Sequence, residues 1–140
     1  MRLCFRTQGR NTKLTTNKKQ IYIIDDDESV CRALKTFLMT FDFEVTTFNS
    51  AQIFFHKVAN DAPGCLVLDI NMQGLDGWET QKRIMDSGSN RPVIFISAEK
   101  KDNVADRALK VGAVGFLQKP FDGQTLVDLI NTSSENSPQP

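Results

Sequence analysis

The stretch IYIIDDDESV, residues 21–30, decides how the rest of the chain reads. Ile21, Tyr22, Ile23 and Ile24 form an unbroken run of apolar, β-favouring side chains. The run halts at three consecutive acids, Asp25, Asp26 and Asp27, and a helical pattern starts almost at once. A strand with one face in water alternates apolar and polar residues, whereas a strand buried on both faces does not. The unbroken run followed by a helix therefore predicts a parallel sheet covered on both sides. The helix predicted over 29–41 puts Val30, Leu34, Phe37, Leu38 and Phe41 on one face.

The same pairing of strand and helix continues along the chain. CLVLDI (65–70) and PVIFIS (92–97) are further continuous apolar runs, and EVTTF (44–48) and AVGFL (113–117) are rich in β-formers. Helix-period segments lie between and after them at 51–58, with Ser50 as the N-cap, and at 77–86, 102–111 and 122–130. Five such βα units, counting QIYII (20–24) as the first strand, give an α/β fold. Its expected architecture is a doubly wound (βα)5 three-layer sandwich with right-handed crossovers.

The bulk properties set limits on function. The 140 residues are 40% hydrophobic and 24% charged, with mean hydropathy −0.30, which suits one globular domain. No run nears the roughly 18 apolar residues of a membrane span, and no apolar stretch resembles a secretory signal. Cys4, Cys31 and Cys65 match neither a disulfide framework nor a zinc-ligand spacing, so the expected home is a reducing cytoplasm. The net charge of zero hides an asymmetry. Residues 1–19 hold six bases and no acid, which leaves 11 bases against 17 acids in 20–140. The expected organisation is a basic, disordered leader (1–19), an acidic domain (20–131) and a polar tail or linker (132–140).

In an open α/β sheet, reactive groups gather beyond the carboxyl ends of the strands. Here those ends carry Asp25 and Asp26 after the first strand, Asp69 after the third, Ser97 after the fourth and Lys119 after the fifth. Acids alone after one strand are the ordinary composition of a helix N-terminus, where the dipole favours them. Three acids, a hydroxyl and a lysine from four strand ends are a different matter. Neighbouring carboxylates repel and raise one another's pKa, and a hard divalent cation resolves the clash. Mg²⁺ suits such a site, because it takes oxygen ligands and is held by one or two carboxylates plus phosphate. Asp69 is then the candidate nucleophile, since a carboxylate can form an aspartyl phosphate. Lys119 would neutralise charge on the phosphoryl group and Ser97 would hydrogen-bond to it.

The blocks IYIIDDDESV (21–30), CLVLDINMQGLDGWE (65–79), PVIFISA (92–98) and GAVGFLQKPFD (112–122) together resemble the CheY-like receiver domains of two-component response regulators. The resemblance covers roughly 20–130. It implies a flavodoxin-like sheet of strand order 2-1-3-4-5, with Asp69 as phosphoacceptor. It also implies Asp26 as a direct Mg²⁺ ligand, Asp25 as holder of metal-bound water, and the Asn71 main-chain carbonyl as a further ligand. Ser97 and Phe116 match the switch pair, and Lys119, before a cis Pro120, matches the lysine that contacts phosphate. SAQIFF and GAVGFLQKPFDGQTL look most like the subgroup whose members often carry a C-terminal helix-turn-helix.

The implied function is a phosphorylation switch, a signalling phosphoacceptor rather than an enzyme with turnover. Phosphate would come from a sensor histidine kinase or phosphotransfer protein. Before phosphorylation Ser97 is expected to lack a strong partner. Afterwards it would move inward with the 97–103 loop and let Phe116 turn in. A downstream protein or effector domain, or a second copy as a homodimer, would read the 102–130 face. Neither nucleic acid nor membrane binding is expected of this domain itself. One departure stands out: where the family usually has Met-Pro-Gly, this chain has Met72, Gln73 and Gly74, which is expected to loosen the loop. Asn71 and Glu99, two residues beyond Asp69 and Ser97, are polar, so the phosphoryl group is expected to be short-lived. Two other readings compete with this one. A pseudo-receiver binding partners without phosphate is weakened by the intact acids and lysine. An enzyme on this fold would need a hydroxyl- and glycine-rich phosphate loop after strand one for flavin, or a second acid where Asn71 stands for a dehalogenase-type phosphatase.

Overall fold

In the computed structural model, which describes residues 18–99 and 103–135, strands and helices alternate from end to end. The strands are β1 (Gln20–Ile24), β2 (Glu44–Phe48), β3 (Cys65–Asp69), β4 (Val93–Ser97) and β5 (Gly115–Gln118). The helices are α1 (Glu28–Met39), α2 (Ala51–Lys57), α3 (Gly77–Asp86), α4 (Val104–Lys110) and α5 (Gly123–Glu135). All strand pairs are parallel, and the sheet order is β2-β1-β3-β4-β5. This is the doubly wound 2-1-3-4-5 sheet, with its reversal of direction between β1 and β3.

Because side chains alternate across a strand, each central strand feeds two cores. Tyr22, Ile24, Leu66, Leu68, Val93 and Phe95 join Phe54, Ile84, Val104 and Ala108 beneath α2, α3 and α4. Ile21, Ile23, Val67, Ile94 and Ile96 join Cys31, Leu38, Leu126, Val127 and Ile130 beneath α1 and α5. The two layers explain why β1, β3 and β4 show no polar alternation. Among the described residues no helix is long and apolar enough to cross a membrane.

Several boundaries shift from the sequence reading, and three of the shifts have a local reason. The helix expected to run to residue 41 stops at Met39, because Thr40 turns back with both its N–H (3.1 Å) and its hydroxyl (2.6 Å) on the Phe37 carbonyl. Asp42 then takes φ +67°, and Phe41 ends 37% exposed, stacked at 5.1 Å on Phe37 rather than on the helix's inner face. β5 begins at Gly115, since the Ala113 N–H is used on the Ala108 carbonyl to close the α4 turn. At the far end α5 continues to Glu135, and Ser133 is buried with its hydroxyl on the Ile130 carbonyl. Lys18 and Lys19 are tied to the fold: Lys18 pairs with Asp42 at 3.4 Å, and the Lys19 ammonium donates to the Ile130 carbonyl at 3.3 Å. The rest of the basic leader, residues 100–102 of the switch loop and the last five residues lie outside the described residues.

Candidate functional site

The three acids after β1 divide into three jobs. Asp27 caps α1, accepting from the Ser29 N–H at 2.9 Å, the Ser29 hydroxyl at 2.6 Å and the Val30 N–H at 3.4 Å, and these bonds hold its carboxyl below the usual range. Asp25 turns inward and is fully buried. Its Oδ1 accepts from the Asp27 N–H at 2.9 Å, and its Oδ2 meets the Lys119 ammonium at 2.8 Å. Asp26 faces solvent, and its Oδ2 accepts from the Gln73 N–H at 3.2 Å. The local sequence explains the split: Asp25 leaves a buried strand pointing into the sheet end, while Asp27 is where the helix needs its cap.

Asp69, the last residue of β3, sits opposite Ile96 and is 4% exposed. Oxygen atoms of Asp25, Asp26 and Asp69 all lie within 4.8 Å of one another, the spacing of a shared cation site. Burial above all, then the charge of Asp25, pushes the Asp69 carboxyl up to about 7, against the opposing pull of Lys119 at 3.7 Å. Burial works against the charge of Lys119, but the bond to Asp25 and the charges of Asp25, Asp69 and Asp27 outweigh it, so the ammonium titrates above its ordinary value. Among the described residues, the Lys119 ammonium thus faces two inward carboxylates, with Asp26 alongside. That under-neutralised oxygen cluster fits a hard divalent ion such as Mg²⁺.

Ser97 closes the site from β4 and is fully buried. The expectation that it lacks a partner is wrong. Its Oγ accepts from the Glu99 N–H at 2.9 Å and from Asn71 Nδ2 at 3.3 Å. The polar side chain two residues beyond Asp69 was legible in the sequence, but its reach to the neighbouring strand end was not. The Asn71 N–H also points at Asp69 Oδ1, at 3.4 Å. Lys119 is delivered by β5, where its N–H bonds to the Ser97 carbonyl at 2.7 Å and the following peptide bond to Pro120 is cis. Phe116 is half-buried and lies opposite Phe95 in the β4–β5 register. Phe95 and Ser97, two apart on one strand, share a sheet face, so Ser97 and Phe116 are diagonal neighbours on that face.

Gly77 keeps the loop after β3 close to the site. A Cβ there would lie 2.6 Å from the Ile70 Cα and 2.7 Å from the Asp69 carbonyl oxygen. Cys31 packs beneath, its thiol on the Asp25 carbonyl at 3.2 Å; burial first, then Asp25, pushes it up to about 11, so it is a packing residue here.

The sequence model of the response regulator receiver domain matches residues 21–131. The chain belongs to that family. The receiver is 37% identical over 119 residues to the response regulator protein TodT of Pseudomonas putida, covering 85% of this chain and 52% of TodT. Its structure resembles that of the response regulator StyR, with TM-score 0.79 and 37% identity, covering 86% of this chain and 61% of that one. A CheY-like receiver domain from Methanospirillum hungatei superposes with TM-score 0.78 at 21% identity over 86% of this chain and 97% of that one, which speaks to the fold. The receiver spans about half the length of the curated relatives it matches. Receivers serve phosphorylation-based signalling, as phosphoacceptors between kinases and effectors.

Proposed function

We propose that this receiver takes a phosphoryl group on Asp69 from a phospho-histidine of a sensor kinase or phosphotransfer protein, in a Mg²⁺-dependent step. The observation that carries this reading is the convergence of Asp25, Asp26 and Asp69 within 4.8 Å, with Lys119 reaching two of them. Mg²⁺ would be held by Asp25, Asp26, Asp69 and the Asn71 main-chain carbonyl. When bound, it supplies electrostatic neutralisation of the phosphoryl oxygens.

The chain's own residues do the rest. Asp69 must be ionised to attack, and its pKa near 7 keeps that form accessible once positive charge is added nearby. An Asp69 oxygen forms the new O–P bond while the N–P bond of the donor imidazole breaks, and the freed nitrogen keeps the electron pair. Lys119, at 2.8 Å from Asp25 and 3.7 Å from Asp69, would turn from Asp25 to a phosphoryl oxygen. The same residues allow hydrolysis by water, so the protein is a phosphoacceptor with autocatalytic dephosphorylation.

A phosphoryl group brings about two negative charges and three acceptor oxygens to Asp69. Ser97 then exchanges its bonds from Asn71 and Glu99 for donation to a phosphoryl oxygen. Its displacement opens room on the shared face for Phe116 to turn inward. The face built from α4, β5 and α5 changes shape, and a downstream protein, an effector domain or a second copy reads it, in the cytoplasm. The test is intact mass after incubation with acetyl phosphate and Mg²⁺. One added phosphoryl group, absent when chelator is included and absent in Asp69→Asn, is the expected result. No adduct under conditions where the protein is folded would point instead to a phosphate-independent binding module.

A further inference from the structure

Two side chains of α3 reach across to α4. The Arg107 guanidinium lies over the Trp78 ring, 4.0 Å from its centre, and the Gln81 amide donates to the Val111 carbonyl at 2.9 Å. Trp78 and Gln81 share one face of α3 by their spacing, and Arg107 and the C-cap Val111 share one face of α4.

The two helices are held very differently. α3 starts in a reciprocal capping box between Asp76 and Glu79, and Thr80, Gln81 and Ile84 are buried along it. α4 has seven residues, buries Val104 and Ala108, and gets no side-chain cap bond from Asn103. Its C-terminal end is pinned: the Ala113 N–H bonds to the Ala108 carbonyl at 3.1 Å, the Val114 N–H bonds to the Val93 carbonyl at 2.8 Å, and Gln81 holds Val111. Its N-terminal end follows the loop that leaves Ser97. Arg107 sits between the pinned end and the loop.

Trp78 also touches the switch. Its ring meets Phe95 edge-on at 5.1 Å, Phe95 lies opposite Phe116 in the β4–β5 register, and Ser97 is two residues further along β4. At 4.0 Å the guanidinium is in contact with the ring, so movement of α4 away from α3 can only weaken the attraction.

Resting on the phosphorylation reading above, we infer that the Trp78–Arg107 stack is a catch on α4, holding the arrangement in which Ser97 is bonded by Asn71 and Glu99 and so setting the threshold of the switch. When Ser97 turns to a phosphoryl oxygen, the loop draws the N-terminal end of α4 with it, the helix pivots about Val111, and Arg107 leaves the ring. A contact made in one arrangement and lost in the other biases the equilibrium by its own strength, so removing it favours the phosphoryl-bound arrangement.

The test is titration of the full chain with beryllofluoride in saturating Mg²⁺, followed by fluorine NMR, for wild type, Arg107→Ala, Trp78→Leu and the double variant. Half-saturation is expected to fall about threefold in Arg107→Ala, the strength of an exposed cation–π pair. In the Trp78→Leu background the same substitution should change it little, because the contact is already gone. An unchanged or raised midpoint in Arg107→Ala, or an equal shift in both backgrounds, would overturn the inference. Trp78 is the chain's one tryptophan, so acrylamide quenching gives a second reading that does not need Trp78→Leu to fold. Quenching should rise when wild type is saturated with beryllofluoride; in Arg107→Ala it should be raised beforehand and change little. Quenching of wild type that stays constant through saturation would also overturn the catch. Failure of wild type to bind beryllofluoride at all would instead overturn the reading on which the catch rests.

Discussion

Replacing Asp69 with Asn should stabilise the metal-free protein, and only above a defined pH. The carboxyl is buried beside Asp25, and it titrates near 7 against an ordinary value of 3.8. Below pH 3.8 it is neutral in both the folded and unfolded chain and contributes nothing to the difference. Between 3.8 and 7 the unfolded chain ionises first, so the folded state binds more protons and stability falls as pH rises. Above 7 the folded chain carries the full penalty of a buried, poorly compensated charge. The displacement sets a ceiling of about 4 kcal/mol. The attraction to Lys119 at 3.7 Å is already contained in that displacement, and relaxation of the site around the buried charge brings the realised gain below the ceiling. A net stabilisation of about 2 kcal/mol at pH 8 is therefore expected, or about 8 °C in melting temperature for a domain this size. The assay is thermal unfolding by circular dichroism at pH 4, 6 and 8 in the presence of chelator. The gap should be near zero at pH 4, open through pH 6 and be largest at pH 8. A gap that is constant with pH, or an Asn variant less stable than wild type at pH 8, would refute the electrostatic account of the site.

Three further perturbations probe other parts of the structure. Arg91 is 9% exposed and donates to the carbonyls of Ala59, Asn60 and Ala62 while lying over the rings of Tyr22 and Phe54. Arg91→Ala should cost about 3 kcal/mol in urea unfolding by orphaning those carbonyls, yet leave Mg²⁺ affinity unchanged, because the clamp lies at the opposite end of the sheet from the acids. Gly77→Ala should destabilise by about 2 kcal/mol and weaken Mg²⁺ binding together, since its Cβ meets backbone of Ile70 and Asp69 that cannot give way without moving the site; wild-type affinity in the folded variant would contradict this. Asn71→Ala removes one of the two bonds restraining Ser97, so half-saturation by the phosphoryl mimic beryllofluoride should fall about fivefold, and an unchanged or raised midpoint would count against the restraint.

The sheet was readable because burial leaves a direct mark on sequence. Ile21 to Ile24, Leu66 to Leu68 and Val93 to Ile96 feed two cores at once and so carry no polar alternation. The acids, Ser97 and Lys119 were readable because a parallel sheet collects its strand ends on one side, and no strand-turn convention calls for that set of groups. What stayed hidden was set by backbone and by reach. The stop at Met39 depends on a Thr40 hydroxyl turning back on the helix, and the extension of α5 carries Ser133 to a buried position where its hydroxyl meets the Ile130 carbonyl. The Asn71 to Ser97 bond spans two strands, and its 3.3 Å follows from the sheet's geometry rather than from either residue's neighbours in sequence. Gln73 is the instructive case. The absence of proline there suggested a looser loop, and what the sequence did not show is that the N–H proline would lack bonds to Asp26 at 3.2 Å.

The central claim is that Asp69 itself carries the phosphoryl group. The most direct measurement is borohydride reduction of the protein after treatment with acetyl phosphate and Mg²⁺, followed by peptide mass mapping. An acyl phosphate is reduced to the alcohol, so residue 69 should be converted to homoserine, only in the treated sample and only when Mg²⁺ is present. Conversion at Asp25, Asp26 or another carboxylate, or phosphorylation that leaves residue 69 unreduced, would contradict the account.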